Sequence, residues 1–369
     1  MNHTNQRLES LDALRGFDMF WIMGGSGIFI GLSKLTGWGI LEVWEKQLHH
    51  VPWDGFTFYD MIFPLFLFMA GISFPFSIQK YYAKGGTKAN QYKKIIKRGL
   101  ILVLLGFVYS GILRFEFEEF RVASVLGRIG LAWMFAALLY INTKTLSRIF
   151  WCFGLLIFYW LLSVLVSAPD YPGAGNFTVE GNIACYIDRL LLPGRLYRET
   201  YDPEGILGTI PAISTALLGM LTGEFVSMKK EGLTGIKRAG YMAVAGTALI
   251  IIGQIWNIFC PINKSLWSSS FVCFVGGLSI LLFALFYLII DVWGYHRPFF
   301  FFKVIGMNSI TIYLAVRIIG FSQISKFFFE GIISLFPETW SSFLNSMGSV
   351  TIAWLFLYFL YKQKLFLKV

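Results

Sequence analysis

The stretch FTFYDMIFPLFLFMAGISFPFSIQ, residues 56–79, contains one charged side chain, Asp60. An α-helix needs about 20 mostly apolar residues to cross the hydrocarbon core of a bilayer. Similar apolar runs recur along the chain. They place about ten spans, at roughly 13–33, 56–79, 96–114, 123–142, 149–168, 206–227, 239–259, 269–291, 301–321 and 347–362. The composition agrees. The chain is 56% hydrophobic and 18% aromatic, only 14% of its residues are charged, and its mean hydropathy is +0.64. Soluble domains carry about 25% charged residues. The expected fold class is an all-α polytopic membrane protein, read as one domain over residues 1–369. No internal repeat, low-complexity tract or soluble segment interrupts it, and the start MNHTNQRLESLDALRG lacks the features of a cleaved signal peptide.

The loops sort by charge. KYYAKGGTKANQYKKIIKR (80–98), NTKTLSR (142–148), SMKKEGLTGIKR (227–238) and YKQKLFLKV (361–369) are basic. FEFEEFR (115–121), the 169–205 segment, CPINKSLW (260–267) and SKFFFEGIISLFPETWSS (325–342) are acidic or mixed. Lys and Arg accumulate on the cytoplasmic side, so both termini are expected there. The net charge of +10 is then topogenic, with the added capacity to hold an anionic cytosolic ligand. No stacking platform accompanies the basic stretch, and nucleic acid is not expected as a partner. The same topology puts HHVPWDG (49–55) outside, together with the long segment between the fifth and sixth spans. That segment has about 40 residues, too many for a mere connector. It is expected to be a structured extracytoplasmic loop. Cys185 and Cys260 both fall on the outer side, so a disulfide between them stays open; the four cysteines show no metal-ligand spacing.

Ionisable groups inside a span are costly, and each is a functional candidate. Arg15 and Asp18 lie in LDALRGFDMFW, Asp60 in FYDMIFPLF, Arg128 in VLGRIGLAW, Glu224 in LTGEF, and Lys303 and Asn308 in FKVIGMNSITIY. Arg15 and Lys303 can snorkel to the interface, and Asp18 and Glu224 can pair with basic loop residues. Arg128 and Asp60 stand farther from any polar run and are expected to face a wet cavity. Two of the four histidines fall in HHVPWDG. Imidazole exchanges protons near neutrality and is the natural general base. Asp54 and Asp60 are both near enough in sequence to orient the His50 ring. The motifs HExxH, GxSxG, GxGxxG and the Walker loop do not occur.

RLESLDALRGFDMFW, HHVPWDGFTFYDMIFPLFLFMAGIS, RVASVLGRIGLAW, YIDRLLLPGRLY, YDPEGILGTIPAI, PINKSLWSSSFV and GMNSITIYL, in this order, resemble the heparan-α-glucosaminide N-acetyltransferase family. LDALRG is also similar to the wider set of ten-helix membrane acyltransferases. The resemblance spans nearly the whole chain, which looks like a bacterial homologue without the family's luminal domain. It implies a multi-pass protein of the bacterial inner membrane. It implies acetyl transfer from cytosolic acetyl-CoA, as donor substrate, to the amine of a terminal glucosamine on the far side. No metal is implied, and a homodimer is expected.

The family's catalytic histidine occurs in H-x-x-W-[ND]-G, matching His50 with Trp53, Asp54 and Gly55; His49 has no counterpart. The family's DLVFP-like string matches Asp60 to Pro64. Where the lysosomal relative has an asparagine in its first catalytic span, this chain has Ser26. On this basis His50, Asp60 and Asp54 are the catalytic candidates. Arg15, Arg128, Asn308, Ser309, Lys362 and Lys364 are the candidates for the donor, with Asn308, Ser309, Asn263 and Lys264 also able to face a developing oxyanion. Trp53, Asp188, Arg189, Asp202, Glu204, Asn263, Lys264 and Trp267 are the candidates for the sugar. The competing readings are an amino-sugar permease and an O-acyltransferase acting on a cell-envelope glycan.

Overall fold

Backbone polar groups in lipid must be satisfied within the chain, which leaves helices as the default spanning element. The computed structural model describes residues 8–367; Arg7, which opens the first family-like string, and Lys368 of the basic tail lie outside the described residues. The fold is helical. Its elements are α1 (Glu9–Phe20), α2 (Ser26–Thr36), α3 (Gly39–Gln47), α4 (Phe58–Ala83) and α5 (Lys88–Ser110), then α6 (Val125–Asn142), α7 (Thr145–Leu165), α8 (Ile183–Leu191), α9 (Thr209–Ser227) and α10 (Gly235–Trp256). They continue with α11 (Ser269–Phe286), α12 (Phe300–Met307), α13 (Ser309–Ile318), α14 (Phe321–Ile333) and α15 (Ser341–Lys362). Among the described residues, 8 helices or kinked helix pairs are long and apolar enough to cross a membrane, and up to 9 if one bent pair is counted. The chain is a polytopic all-α membrane protein.

The differences from the expected spans have local causes. The first span is kinked, since π-helical Trp21–Gly25 joins α1 to α2 and Gly24 takes φ 122°, which suits glycine alone. The basic stretch expected as a loop at 80–98 is mostly helix. Lys and Arg are good helix formers, and the Thr87 side chain caps α5 by accepting from Asn90 N–H. The ninth expected span is two helices, α12 and α13, bent by 64° at Asn308. Asn308 leaves the helical region (φ −125°, ψ 35°), and its side-chain amide donates to the Leu365 carbonyl at 3.1 Å. The segment between α7 and α9 contains α8, whose N-cap Asn182 accepts from Ala184 N–H. The four cysteines are free and buried, so Cys185 and Cys260 form no disulfide.

The chain forms two compact units. Within the described residues, one comprises 8–50, 57–62 and 283–367, and the other 51–56 and 63–282. In the first, α1 and α12 pass so closely that a Cβ on Gly306 would meet the Asp12 carbonyl oxygen at 1.8 Å. An apolar cluster of Trp21, Leu48 and Ile62 is wrapped by Phe17, Phe29, Phe58 and Tyr59. In the second unit, α9 presents Gly219 and Gly223, a four-residue spacing that lets helix backbones approach in lipid. A Cβ at Gly219 would lie 2.1 Å from the Phe68 carbonyl oxygen of α4. α4 carries Pro64 and Pro75 within it, which membrane helices tolerate when neighbours re-satisfy the freed carbonyls.

Candidate active site

The chain enters α4 through TFYD, residues 57–60, immediately before an apolar run. A Thr followed three residues later by an acid is the pattern of a capping box. The structure uses it so: Thr57 N–H donates to Asp60 Oδ2 at 3.1 Å. The Thr57 hydroxyl stands 2.9 Å from the same oxygen and 2.6 Å from the His49 carbonyl. Having one proton, it donates to one of these acceptors at a time. Asp60 is held in place by its own helix start, before histidine is considered.

His50 Nδ1 lies 2.6 Å from Asp60 Oδ1. The histidine side chain is 45% exposed and the aspartate 1%. An ionised carboxylate only accepts hydrogen bonds, so Nδ1 carries a proton and donates it to Asp60. Tyr59 packs on the ring, centroids 4.9 Å apart at 56°. The result is an imidazole oriented from behind by a buried carboxylate and accessible on its other side, the arrangement a general base requires. All of these groups belong to the first unit.

Asp54 does not share this role. Its Oδ1 accepts from Asn263 Nδ2 at 3.0 Å, and Gly55 N–H donates to the Ile262 carbonyl at 2.9 Å. Trp53 donates its indole N–H to the Phe177 carbonyl at 2.8 Å and meets Tyr201 edge-on. Cys185, Tyr201 and Leu266 form the buried cluster around it. The Trp-Asp-Gly half of the motif therefore fastens the chain to the 175–201 and 260–267 segments of the second unit.

Several residues expected to meet a sugar are engaged internally. Asn263 is fully buried; it donates to Asp54 and accepts from Leu266 N–H. Trp267 is also fully buried, bonded to the Thr215 hydroxyl at 3.1 Å and packed on Phe63. Neither presents a face to a sugar. Asp202 is buried and, with Glu204, closes on Arg121: Arg121 Nε donates to Asp202 Oδ2 at 2.7 Å, and Nη2 contacts both carboxylates. Burial opposes the Arg121 charge, but the bond to Asp202 and the fields of Glu204 and Asp202 outweigh it and push its pKa up. Arg189 donates to both oxygens of Asp170 at 2.8 and 3.0 Å, and to the Glu180 and Thr200 carbonyls. That bond is the main reason Asp170 is held below the usual carboxylate range. Asp188 accepts from Ile206 N–H at 2.8 Å. Burial pushes it up to about 7, against that bond and the field of Arg128. Lys264 is partly exposed on the same segment as Asn263.

Arg128, expected at the donor site, sits under the 201–208 segment of its own unit. Its Nη2 donates to the Gly205 carbonyl at 2.8 Å, and its guanidinium lies 5.1 Å from the Trp267 ring. Nε and Nη1 are buried without a hydrogen-bond partner. The remaining donor candidates fall together in the first unit. Arg15 pairs with Asp12 at 3.7 Å. Asp12 lies against Gly306, two residues before Asn308 and three before Ser309. The bond from Asn308 to Leu365 brings in the tail that carries Lys362 and Lys364. Asn308 and Ser309 therefore accompany the tail that follows α15. Ser26 donates to the Trp21 carbonyl at 3.3 Å. Among the other charged groups, Glu224 pairs with Arg148 and Lys303 with Glu9. Both Asp18 oxygens are buried without a hydrogen-bond partner.

Thr57, Tyr59 and Arg121 are the residues that sequence reasoning missed. TFYD was a legible signal for Thr57; nothing local marks Arg121, whose partners lie 81 and 83 residues away.

A family model described as heparan-alpha-glucosaminide N-acetyltransferase, catalytic, matches residues 7–261. The heparan-alpha-glucosaminide N-acetyltransferases of Mus musculus and Homo sapiens are each 27% identical to this chain over 98% of its length. The alignments cover 61% and 60% of those two proteins, so the chain spans about three fifths of the curated relatives it matches.

Proposed function

Since the chain belongs to the heparan-α-glucosaminide N-acetyltransferase catalytic family, we propose that it is a transmembrane N-acetyltransferase. It takes acetyl from cytosolic acetyl-CoA and delivers it to the amine of a terminal glucosamine-like sugar on the extracytoplasmic side of a bacterial inner membrane. The observation that carries this reading is His50 held by buried Asp60 at 2.6 Å with its ring 45% exposed.

The chemistry follows from that geometry. A sugar ammonium is not a nucleophile until it loses a proton. That first proton goes to water; His50 Nε2 takes the second from the nitrogen as it attacks the thioester carbonyl, and Asp60 stabilises the imidazolium. The C–S bond then breaks, and the proton on His50 returns to the departing thiolate. The products are the acetamido sugar and free coenzyme A thiol. A base placed in this way contributes about 10²- to 10⁴-fold. At the other end of the same unit, Arg15, Lys362 and Lys364 offer cations and Ser309 a hydroxyl for the phosphates of the donor, while Asn308 holds the tail that carries the two lysines; Arg suits phosphate through paired N–H bonds. Lys264, partly exposed beside Asn263, is a candidate to face the acceptor.

The test is transfer of labelled acetyl from acetyl-CoA to a panel of amino sugars by purified protein in proteoliposomes. Wild-type protein is expected to acetylate a glucosamine-terminated acceptor, and His50→Ala to insert and fold but not transfer. Near-wild-type transfer by His50→Ala would remove His50 from the mechanism. Uptake of glucosamine without acetyl-CoA would replace the enzyme with a permease.

A further inference from the structure

The helix that leads into His50 carries a surface that acetyl transfer does not use. α3 has 9 residues, and none of them is buried. Ile40, Val43 and Trp44 follow the i, i+3, i+4 spacing of one helix face, while Glu42, Glu45 and Lys46 occupy the opposite one. The apolar stripe is turned outward, with Ile40 69% and Val43 61% exposed. A helix bathed in water on that side would show the reverse pattern.

The path of the chain says what covers the stripe. α2 is the far end of the span Glu9–Thr36. Gly37 then turns the backbone at φ 62°, and α3 starts at Gly39. The helix therefore begins where the first span leaves the hydrocarbon core. A second group of rings stands at the same level, contributed by another part of the same unit. Gly31 of α2 lies against the Phe343 backbone of α15, where a Cβ would approach Phe343 Cα to 2.7 Å. One turn before Phe343 stands Trp340, 6.0 Å from Phe336, and Leu335 and Phe336 are exposed. Trp38, at the start of α3, is exposed as well. Tryptophans gather at membrane–water boundaries, where their rings are half apolar and half polar.

We propose that α3 docks on the lipid surface at the end of the bundle that the charge pattern assigns to the outside. It lies in the plane of the membrane, with Ile40 and Val43 among the acyl chains and Glu42, Glu45 and Lys46 in the headgroup layer. The docking reaches the catalytic turn through two contacts. Trp44 meets Phe58 edge-on at 5.8 Å, and Gln47 Oε1 accepts from Phe58 N–H at 3.0 Å. Phe58 follows Thr57 and stands two residues before Asp60, while Leu48 is buried with Trp21 and Ile62. The lipid surface thus sets the depth at which the His50 turn is held.

Site-directed nitroxide labels test this directly. The native cysteines are all buried, so a label reports the introduced thiol. In nanodiscs of phosphatidylethanolamine and phosphatidylglycerol, labels at Ile40→Cys and Val43→Cys are expected to collide more with oxygen than with a water-soluble nickel chelate. Labels at Glu42→Cys and Glu45→Cys should show the opposite preference. Nickel access at 40 and 43 equal to that at 45 would place the stripe in water and overturn the proposal. Exclusion of both reagents with spin–spin broadening would show a second copy of the chain on the stripe, and would also overturn it. The readout needs no acetyl transfer, so it stands or falls separately from the enzymatic reading.

Discussion

His50 with Asp60 and Arg121 with Asp202 and Glu204 are both cation-forming side chains set against buried carboxylates, one group in each compact unit. They are built to different ends. Asp60 meets His50 with one oxygen and the start of its own helix with the other, and the imidazole stays 45% exposed. Arg121 is enclosed by two carboxylates, and Asp202 takes further N–H bonds from Tyr197 and Glu204. The first group leaves its ring partly exposed. The second satisfies its charges internally and ties the segment before α6 to the segment before α9. The lesson concerns exposure as much as residue type, because a reactive group must be oriented from one side and open on the other.

The comparison can be broken by substitutions on either side of it. The largest effect is expected at His50. His50→Ala should lower acetyl transfer by about 10²- to 10⁴-fold while leaving the thermal midpoint near wild type. Asp60→Asn should approach the same loss with the fold intact, because a neutral amide does not stabilise the imidazolium. Arg121→Ala should behave in the opposite way. It leaves two buried carboxylates without their cation, a change that costs about 3–5 kcal/mol in comparable buried pairs. A marked fall in thermal midpoint is the expected readout. A stable, inactive Arg121→Ala protein would move Arg121 into the catalytic machinery.

A smaller change sharpens the contrast. Thr57→Ala removes one side-chain bond to Asp60 and should cost about 1 kcal/mol. Because Thr57 supports the carboxylate that orients His50, transfer should also fall, by less than for Asp60→Asn. The last effect is read as a pH slope rather than as a loss at one pH. Asp188 is pushed up to about 7 in the folded protein from 3.8, so the folded state keeps this proton longer than the unfolded one. Its contribution to stability is complete below about pH 4 and is lost as pH rises through about 7. Asp188→Asn should flatten that part of the thermal midpoint against pH, and an unchanged slope would assign it to another group.

Much of the fold was legible because the lipid environment imposes it. Runs such as 56–79 have no alternative to helix. The same reasoning falters where helices do not run straight through, as at Gly24 and Asn308, where a single residue's backbone redirects the chain. At the site, His50 and both candidate carboxylates were legible from HHVPWDGFTFYD. The choice between Asp54 and Asp60 was not. Asp54 takes its partner from Asn263, 209 residues away, and no spacing within the motif reveals it.

That this chain crosses a membrane as helices, which family it resembles, and that a histidine stands beside two acids at a helix entrance are all legible in the sequence. Those properties follow from hydropathy and from spacing over a few residues. The folded chain shows which acid takes the imidazole. It also showed that Asn263, Trp267 and Asp202 are buried rather than presented to a sugar, and that the stripe on α3 faces outward. Each of these depends on partners brought together from distant parts of the chain, where burial and hydrogen bonding select among groups that look alike in sequence.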